Sequence, residues 1–341
     1  MIKRLSLVTS GLLLSSTLAF SADAKVSGSV MAYTYMEDNA DLTTVSSSLS
    51  AEKTLAKNIS AKLSYNTTSV VDADDRSGIA VESLLSEANV TYATKDFALT
   101  LGRQAIDLEW MGDYHEAAVG SISSIPDTSI VLGLSKKNAA IDEDESSTFS
   151  NTNTDKGAYV LDVKYSGVKG LELNPYFYTA ADVASYYGLK ATYTDDMFGA
   201  MAHFAASSED VATTEDGSLM ALELSTSVSE VSLSAGYIST DKEGGLASLS
   251  SFGDNYSPFD DGSNLGGVDS SAYYLTAGTS VSGIDIGGLY GVVDYGSSED
   301  KEFNLSLGYS ITDSLAASAL YVDISGDTEK DYASLSLAYS F

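Results

Sequence analysis

Cysteine is absent from the 341 residues, so neither a disulfide framework nor a thiolate site is available to this chain. Basic residues are scarce. Eighteen Lys and Arg stand against 48 Asp and Glu, a formal charge of −30, and such a surface repels nucleic acid and attracts cations. Proline occurs three times, histidine twice and tryptophan once. Beyond the N-terminus no apolar run of about 18 residues occurs, which excludes a helical membrane protein. What is abundant is tyrosine, at 22 residues, in a chain whose mean hydropathy is +0.00. A soluble secreted protein and a membrane β-barrel both fit that composition.

The N-terminus indicates export. "MIKR" supplies a positive segment, "LSLVTSGLLLSSTLAF" an apolar one too short to span a bilayer, and Ala22-Asp23-Ala24 a small-residue cleavage site. A signal peptide over 1–24 leaves a mature domain of 25–341. Removing Lys3, Arg4 and Asp23 with it leaves 16 basic and 47 acidic residues, a charge of −31.

Periodicity separates the two remaining classes. "NISAKLSYNTT" puts Ile59, Ala61, Leu63 and Tyr65 on one face and Ser60, Lys62 and Ser64 on the other, and "KEFNLSLGYSI" opposes Phe303, Leu305, Leu307, Tyr309 and Ile311 to Asn304, Ser306 and Ser310. Segments of about ten residues with period two, a small polar face and aromatics toward the ends are the signature of a transmembrane β-barrel. A soluble sandwich also alternates, but these strands are uniformly long enough to cross a bilayer when tilted.

Strands are expected at 25–35, 42–53, 58–68, 84–94, 97–104, 115–125, 128–138, 157–166, 170–180, 184–194, 197–207, 217–227, 230–240, 271–281, 284–295, 301–311, 314–325 and 331–341. Every second connection is then tight ("KD", "PD", "DD", "SE", "SG", "TD"), and the intervening ones are mostly longer and acidic, the longest spanning 241–270. Outer-membrane barrels place short turns in the periplasm and long loops outside. The expected fold is therefore all-β, an antiparallel transmembrane barrel of about eighteen strands (sixteen being the alternative), with the third outer loop folded into the lumen. The last strand alternates Ala333, Leu335, Leu337, Tyr339 and Phe341, and its terminal Phe resembles the recognition signal of bacterial outer-membrane proteins.

The densest cluster of chemistry is "GRQAIDLEWMGDYHE", with Arg103, Asp107, Glu109, Trp110, Asp113, His115 and Glu116. As a catalytic site it lacks a nucleophile motif, and the other histidine, His203, lies in a distant strand. As a cation site its spacing fits no EF-hand loop. "GDNYSPFDDGSN" offers a second candidate for Ca²⁺ at Asp254, Asp260 and Asp261, against the plainer reading of an acidic surface loop. A geometric role uses more of the cluster. Placed after the fifth strand on the long-loop side, residues 105–116 would fold inward and narrow the pore. Trp110 and Met111 would then pack on the wall, and Asp107, Glu109 and Asp113 would face the water. Alternation puts Lys62, Asp162, Lys164, Glu172, Lys190, His203 and Glu223 on the lumen side, so a transverse field between a positive wall and the acidic loop is expected. By the same alternation Arg103 falls on the lipid-facing register, near the rim.

The run "LTLGRQAID", the irregular segment after it and the following "SIPDT" resemble the Opr/OprD-like porins, which include the major porins of Campylobacter-type bacteria. The resemblance implies an eighteen-stranded, often trimeric, passive diffusion channel in the bacterial outer membrane. The OprD branch is associated with a ladder of arginines for carboxylate substrates. Only Arg76 and Arg103 remain here after cleavage, so that specificity is not carried over. The expected function is a non-enzymatic, cofactor-free, water-filled channel for small hydrophilic solutes and ions, preferring cations, in contact with outer-membrane lipid and with no nucleic-acid partner. The runner-up is a non-transporting barrel that acts as an adhesin or receptor through its outer loops.

Overall fold

The computed structural model describes residues 24–38, 40–74, 78–249, 257–262 and 264–341. The expected signal peptide therefore lies outside the described residues, apart from Ala24. Nineteen strands follow in order: β1 (Lys25–Glu37), β2 (Leu42–Ala56), β3 (Ile59–Ala73), β4 (Ser83–Ala93), β5 (Phe97–Ala105), β6 (Tyr114–Ile122), β7 (Thr128–Ala139), β8 (Ser150–Asn151), β9 (Ala158–Val168), β10 (Leu171–Ala180), β11 (Ala184–Thr194), β12 (Phe198–Glu209), β13 (Ser218–Val228), β14 (Val231–Thr240), β15 (Ser270–Val281), β16 (Ile284–Tyr295), β17 (Ser298–Thr312), β18 (Leu315–Gly326) and β19 (Lys330–Ser340). The two-residue β8 pairs only with the end of β7, and β7 runs on to pair with β9. The other eighteen strands form the wall, each antiparallel to its sequence neighbours.

The wall closes where β19 returns to β1, with Tyr339 opposite Val30 and Leu337 opposite Ala32. Closure leaves no open edge, which is the condition for a sheet to lie in lipid. At the seam the Phe341 N–H donates to the Gly28 carbonyl at 3.0 Å, and the Gly28 N–H donates back to the Phe341 carbonyl at 3.1 Å. The Phe341 ring lies over Gly28, where a Cβ would stand 2.7 Å from it.

Alternation sets the two faces. Leu63, Val90, Leu101, Leu132, Leu189, Leu222, Leu275, Leu305 and Leu335 point outward and are exposed. Tyr92, Phe97, Phe198, Tyr309 and Tyr339 ring the short-turn end, and Tyr159, Tyr187, Tyr237, Tyr273 and Tyr321 the other. An apolar band between two aromatic girdles matches a bilayer's hydrocarbon and its two interfaces. The short turns use residues that accept a left-handed backbone: Asn58, Asp127, Ser229 and Ser282 all have positive φ.

Most strand boundaries shift by one to three residues from the sequence expectation, and β3 runs on to Ala73, five residues past its expected end. The strand expected over 115–125 ends at Ile122, because Pro126 has no N–H to donate and Asp127 takes φ 55° in the turn. Strand β17 starts at Ser298 rather than 301, because Ser298, Glu299 and Asp300 continue the ladder against Tyr295, Asp294 and Val293 of β16.

Several described long-loop segments lie inside the barrel, among them 246–249, whose Leu246 and Leu249 are buried in one cluster with Trp110. Residues 106–113 cover the inner faces of β9 to β13. Residues 140–149 rest on β1 to β4, where the Thr44 hydroxyl donates to the Glu143 carbonyl at 2.6 Å and the Thr68 hydroxyl to the Asp142 carbonyl. Residues 257–262 and 264–269 cover β15 to β19. There the Glu302 carboxylate accepts the backbone N–H groups of Asp260 and Gly262, at 2.8 and 3.0 Å.

Candidate functional site: the occupied lumen and its passage

The segment 106–113 extends the β5–β6 hairpin. The Ile106 N–H donates to the Asp113 carbonyl at 2.9 Å, and Leu108 and Met111 exchange hydrogen bonds beyond it. The tip therefore carries Glu109 and Trp110. The indole is fully buried among Tyr176, Tyr178, Ala205, Leu219 and Ala221. A buried indole needs a partner for its N–H, and Trp110 Nε1 donates to the Tyr176 hydroxyl at 2.8 Å. That hydroxyl sits 2.8 Å from His203 Nε2, so Tyr176 receives one proton and offers its own to the imidazole. Glu109 completes the arrangement. Its Oε1 lies 2.8 Å from Lys190 Nζ and 3.7 Å from His203 Nδ1. At the base of the hairpin His115 is buried between the Ser135 hydroxyl and the Gly112 carbonyl, each at 2.7 Å. The carbonyl can only accept, so Nε2 carries the proton and Nδ1 accepts from Ser135. Both ring nitrogens are thus engaged by the fold.

The wall residues expected on the lumen side do lie on the inward face. Lys190, His203, Ala221, Ile238, Ala272 and Val293 form one register row across β11 to β16. Asp162 accepts from the Asn174 amide at 2.8 Å and the Tyr178 hydroxyl at 2.9 Å. Glu223 accepts from the Tyr274 hydroxyl at 2.7 Å, and Lys62 pairs with Glu87 at 2.6 Å. Lys164 and Glu172 continue the same alternation toward the short-turn end and are exposed.

Two expectations change. The acidic loop does not face a positive wall across water. Glu109 and Lys190 are in contact, because the loop lies flat on β10 to β13 and the opposite charges neutralise each other there. Arg103 and Glu116 belong to the outward register row, with Arg103 opposite Ala88 on β4 and Glu116 on β6, and the Arg103 guanidinium reaches the infolded segment, 4.3 Å from the centre of the Phe149 ring. They pair with each other at 2.9 Å. Of the residues at the tip and base, Asp107 and Asp113 are the exposed ones, whereas Trp110 and His115 are buried.

Because 106–113 and the long loop fill the β9 to β16 side, open volume remains on the other. A cavity of about 670 Å³ is bounded by Tyr33 and Tyr35 of β1, Ser318 and Leu320 of β18, and Lys330, Tyr332, Ser334 and Ser336 of β19, with Glu143, Asp144, Asp260 and Asp261 from two loops. Lys330 pairs with Asp261 at 3.1 Å and Glu37 at 3.4 Å. The Tyr332 hydroxyl donates to Asp260, and that of Tyr33 to Asp144 at 3.3 Å. Asp144 opens to the cavity yet is hemmed in by protein. Burial, with the neighbouring Asp142 and Glu143 charges, pushes its carboxyl up to about 6.

The carboxylates weighed for Ca²⁺ are placed differently from a cation cage. Asp261 holds Lys330, Asp260 holds Tyr332, and Asp254 lies outside the described residues. Glu143, Asp144 and Lys330 were missed by the sequence reading, as were Tyr33 and Tyr332. Parity alone could have found the two tyrosines and Lys330. Tyr33 alternates with Ala32, and Lys330 and Tyr332 with Ala333 and Leu335, all of which fall on the outward register.

No protein-family profile matches the chain, and no curated relative does. Solved structures do. Pseudomonas aeruginosa OccK3 (OpdO) superposes with a TM-score of 0.78 at 14% identity, covering 94% of this chain and 96% of that one. P. aeruginosa OpdK, solved with vanillate, gives 0.76 at 12%, covering 94% and 99%. Acinetobacter baumannii OccAB4 gives 0.72 at 13%, covering 94% and 98%. At these identities the likeness establishes the fold, an eighteen-strand barrel of the OprD/Occ type.

Proposed function

We propose that this chain forms a passive, water-filled channel in the bacterial outer membrane, through which small hydrophilic solutes and ions pass down their gradients, cations preferentially. The observation that carries this is the polar cavity left beside the infolded loops. Four carboxylates line it, and the one lysine among its lining residues is already engaged by two acids. Carboxylates at a narrow point lower the energy of a passing cation and raise that of an anion. The apolar belt between aromatic girdles supports the membrane location, and the superposition on OprD/Occ channels supports the transport role. Vanillate, found with OpdK, is a carboxylate; a passage of this charge disfavours such a solute. Passage down a gradient calls for no catalytic group or cofactor.

Planar-bilayer recording of the purified barrel tests the reading. Stepwise conductance with a cation-selective reversal potential in a salt gradient is expected. A barrel that inserts but passes no current would overturn transport and leave the loop-mediated receptor role. Current without cation selectivity would overturn only the preference.

A further inference from the structure

On the outer face of the wall the β4–β5 ladder stops early. Pairing ends at Ala88 opposite Arg103, while β4 continues upward against β3 alone, and β5 turns into the lumen with its hairpin. The departure leaves a recess of roughly 500 Å³ at the long-loop end, floored by Ala88, Gly102, Ala118 and Leu134. Arg103 bridges the gap. Its Nη1 donates to the Leu85 carbonyl at 3.0 Å, and Nε and Nη2 both reach Glu116 Oε1, at 3.0 and 2.9 Å. Lys137 reaches the other oxygen of Glu116 at 3.4 Å. Lys136 lines the recess as well, and its ammonium donates to the carbonyls of Asp155 and Lys156 rather than to a carboxylate. Glu116 thus meets two cations, and Lys136 adds a third beside them, an excess of positive charge on a chain whose total is −30. On the opposite side of the rim Lys301 is balanced by Glu299, and Asp294 stands beside it.

We propose that this recess is a lipid site. It holds the phosphate of an outer-leaflet glycolipid against Lys136, Lys137 and Arg103, with an acyl chain lying along the small-residue floor. The occupant follows from position and charge. The floor is continuous with the apolar belt, so what fills it is a bilayer component. The cations stand where that component's headgroup would be, and phosphate is the anion that Arg and Lys recognise with charge-assisted hydrogen bonds. The small floor residues let a chain approach the backbone where a Leu or Phe would block it. Placing this end at the outer leaflet rests on the orientation in the reading above.

The test uses the whole barrel in detergent micelles, with lipid retention followed by native mass spectrometry. The probes are a bisphosphorylated lipid A and the same lipid dephosphorylated. The variant is Lys136→Gln with Lys137→Gln, which leaves the Arg103–Glu116 pair intact. Wild type is expected to retain the phosphorylated lipid roughly tenfold more strongly than the variant, and to hold the dephosphorylated lipid no better than the variant does. Equal retention of phosphorylated lipid by both proteins would overturn the proposal. So would displacement of that lipid by millimolar inorganic phosphate, or a recess covered by a second copy of the chain that excludes lipid. Conductance should be the same in variant and wild type, because the recess is outside the lumen; lost conductance in wild type would instead count against the channel reading.

Discussion

The Lys190 ammonium lies 2.8 Å from Glu109, joining the tip of the β5–β6 hairpin to β11, 81 residues further along the chain. Lys190 also faces Asn174 and His203 across the register, so its charge would be poorly solvated without that carboxylate. The contact turns an outer loop into part of the interior. It also ties the space left open inside the barrel to one ion pair beside one buried indole.

Removing the carboxylate should loosen the tip. Glu109→Gln is expected to cost about 1–3 kcal/mol, the worth of a hydrogen bond to a charged group that is mostly shielded from water. A nitroxide attached in place of the exposed Asp113 reads the result. Its spectrum should sharpen in the variant, and an unchanged line shape would mean that the pair does not hold the loop.

Trp110 is expected to matter more. Trp110→Ala removes a fully buried indole and the hydrogen bond it donates to the Tyr176 hydroxyl, a loss of about 3–5 kcal/mol. Trp110→Phe keeps most of the packing but loses the N–H, and should cost about 1–2 kcal/mol. Thermal unfolding followed by gel mobility should rank wild type above Phe and Phe above Ala. Conductance should rise or become noisy in the alanine variant.

Selectivity should follow the cavity rather than the hairpin tip. Replacing Asp144, Asp260 and Asp261 with Asn is expected to reduce the cation-selective reversal potential by more than half. Glu109→Gln should change it less, because neither Glu109 nor Lys190 lines that cavity. The reverse ordering in salt-gradient recordings would return the selectivity filter to the tip.

Acid should weaken the preference. The Asp144 carboxyl is held at about 6 by burial and by its acidic neighbours, above the usual carboxylate range. Lowering pH from 7 to 5 therefore neutralises it. The sign for folding is the opposite: the inward position of 140–149 gains stability as pH falls through 6 toward 4, and loses it as pH rises through the raised value. Cation selectivity should decline over that interval in wild type and more shallowly in Asp144→Asn. Parallel curves for the two proteins would show that Asp144 does not titrate there.

Closure of the wall should depend on a missing side chain. Gly28→Leu would place a Cβ 2.6 Å from the Ser48 carbonyl oxygen and 2.7 Å from the Phe341 ring, at the seam between the first and last strands. Refolding yield, read as the fraction of compact barrel on an unheated gel, is expected to fall several-fold. Gly28→Ala should fall less.

The wall was legible in the sequence because a strand's two faces are separated by one residue. Serine and lysine alternate with leucine and tyrosine over "NISAKLSYNTT", and that pattern permits one register against lipid and water. The even strand number and the long-loop end followed from turn residues such as Asn58 and Asp127. The inward side of Lys62, Asp162, Lys190, His203 and Glu223 followed from parity. Parity also put Arg103 on the lipid side, and grouping it with the pore acids by nearness in sequence was the error.

Only the tertiary structure decided how the lumen is filled. Loop residues have no period, so nothing local ties Glu109 to Lys190, Trp110 to Tyr176, or Glu302 to the backbone of Asp260 and Gly262. Those contacts form because an indole and several carboxylates find complementary partners on strands distant in sequence. Where they form decides which part of the interior stays open. The sequence alone determined that this chain closes into an eighteen-strand barrel with an acidic mouth. The packing of its loops decided that the open cavity lies beside β18, β19 and β1, and that Trp110, Met111 and His115 of "GRQAIDLEWMGDYHE" are buried against the wall.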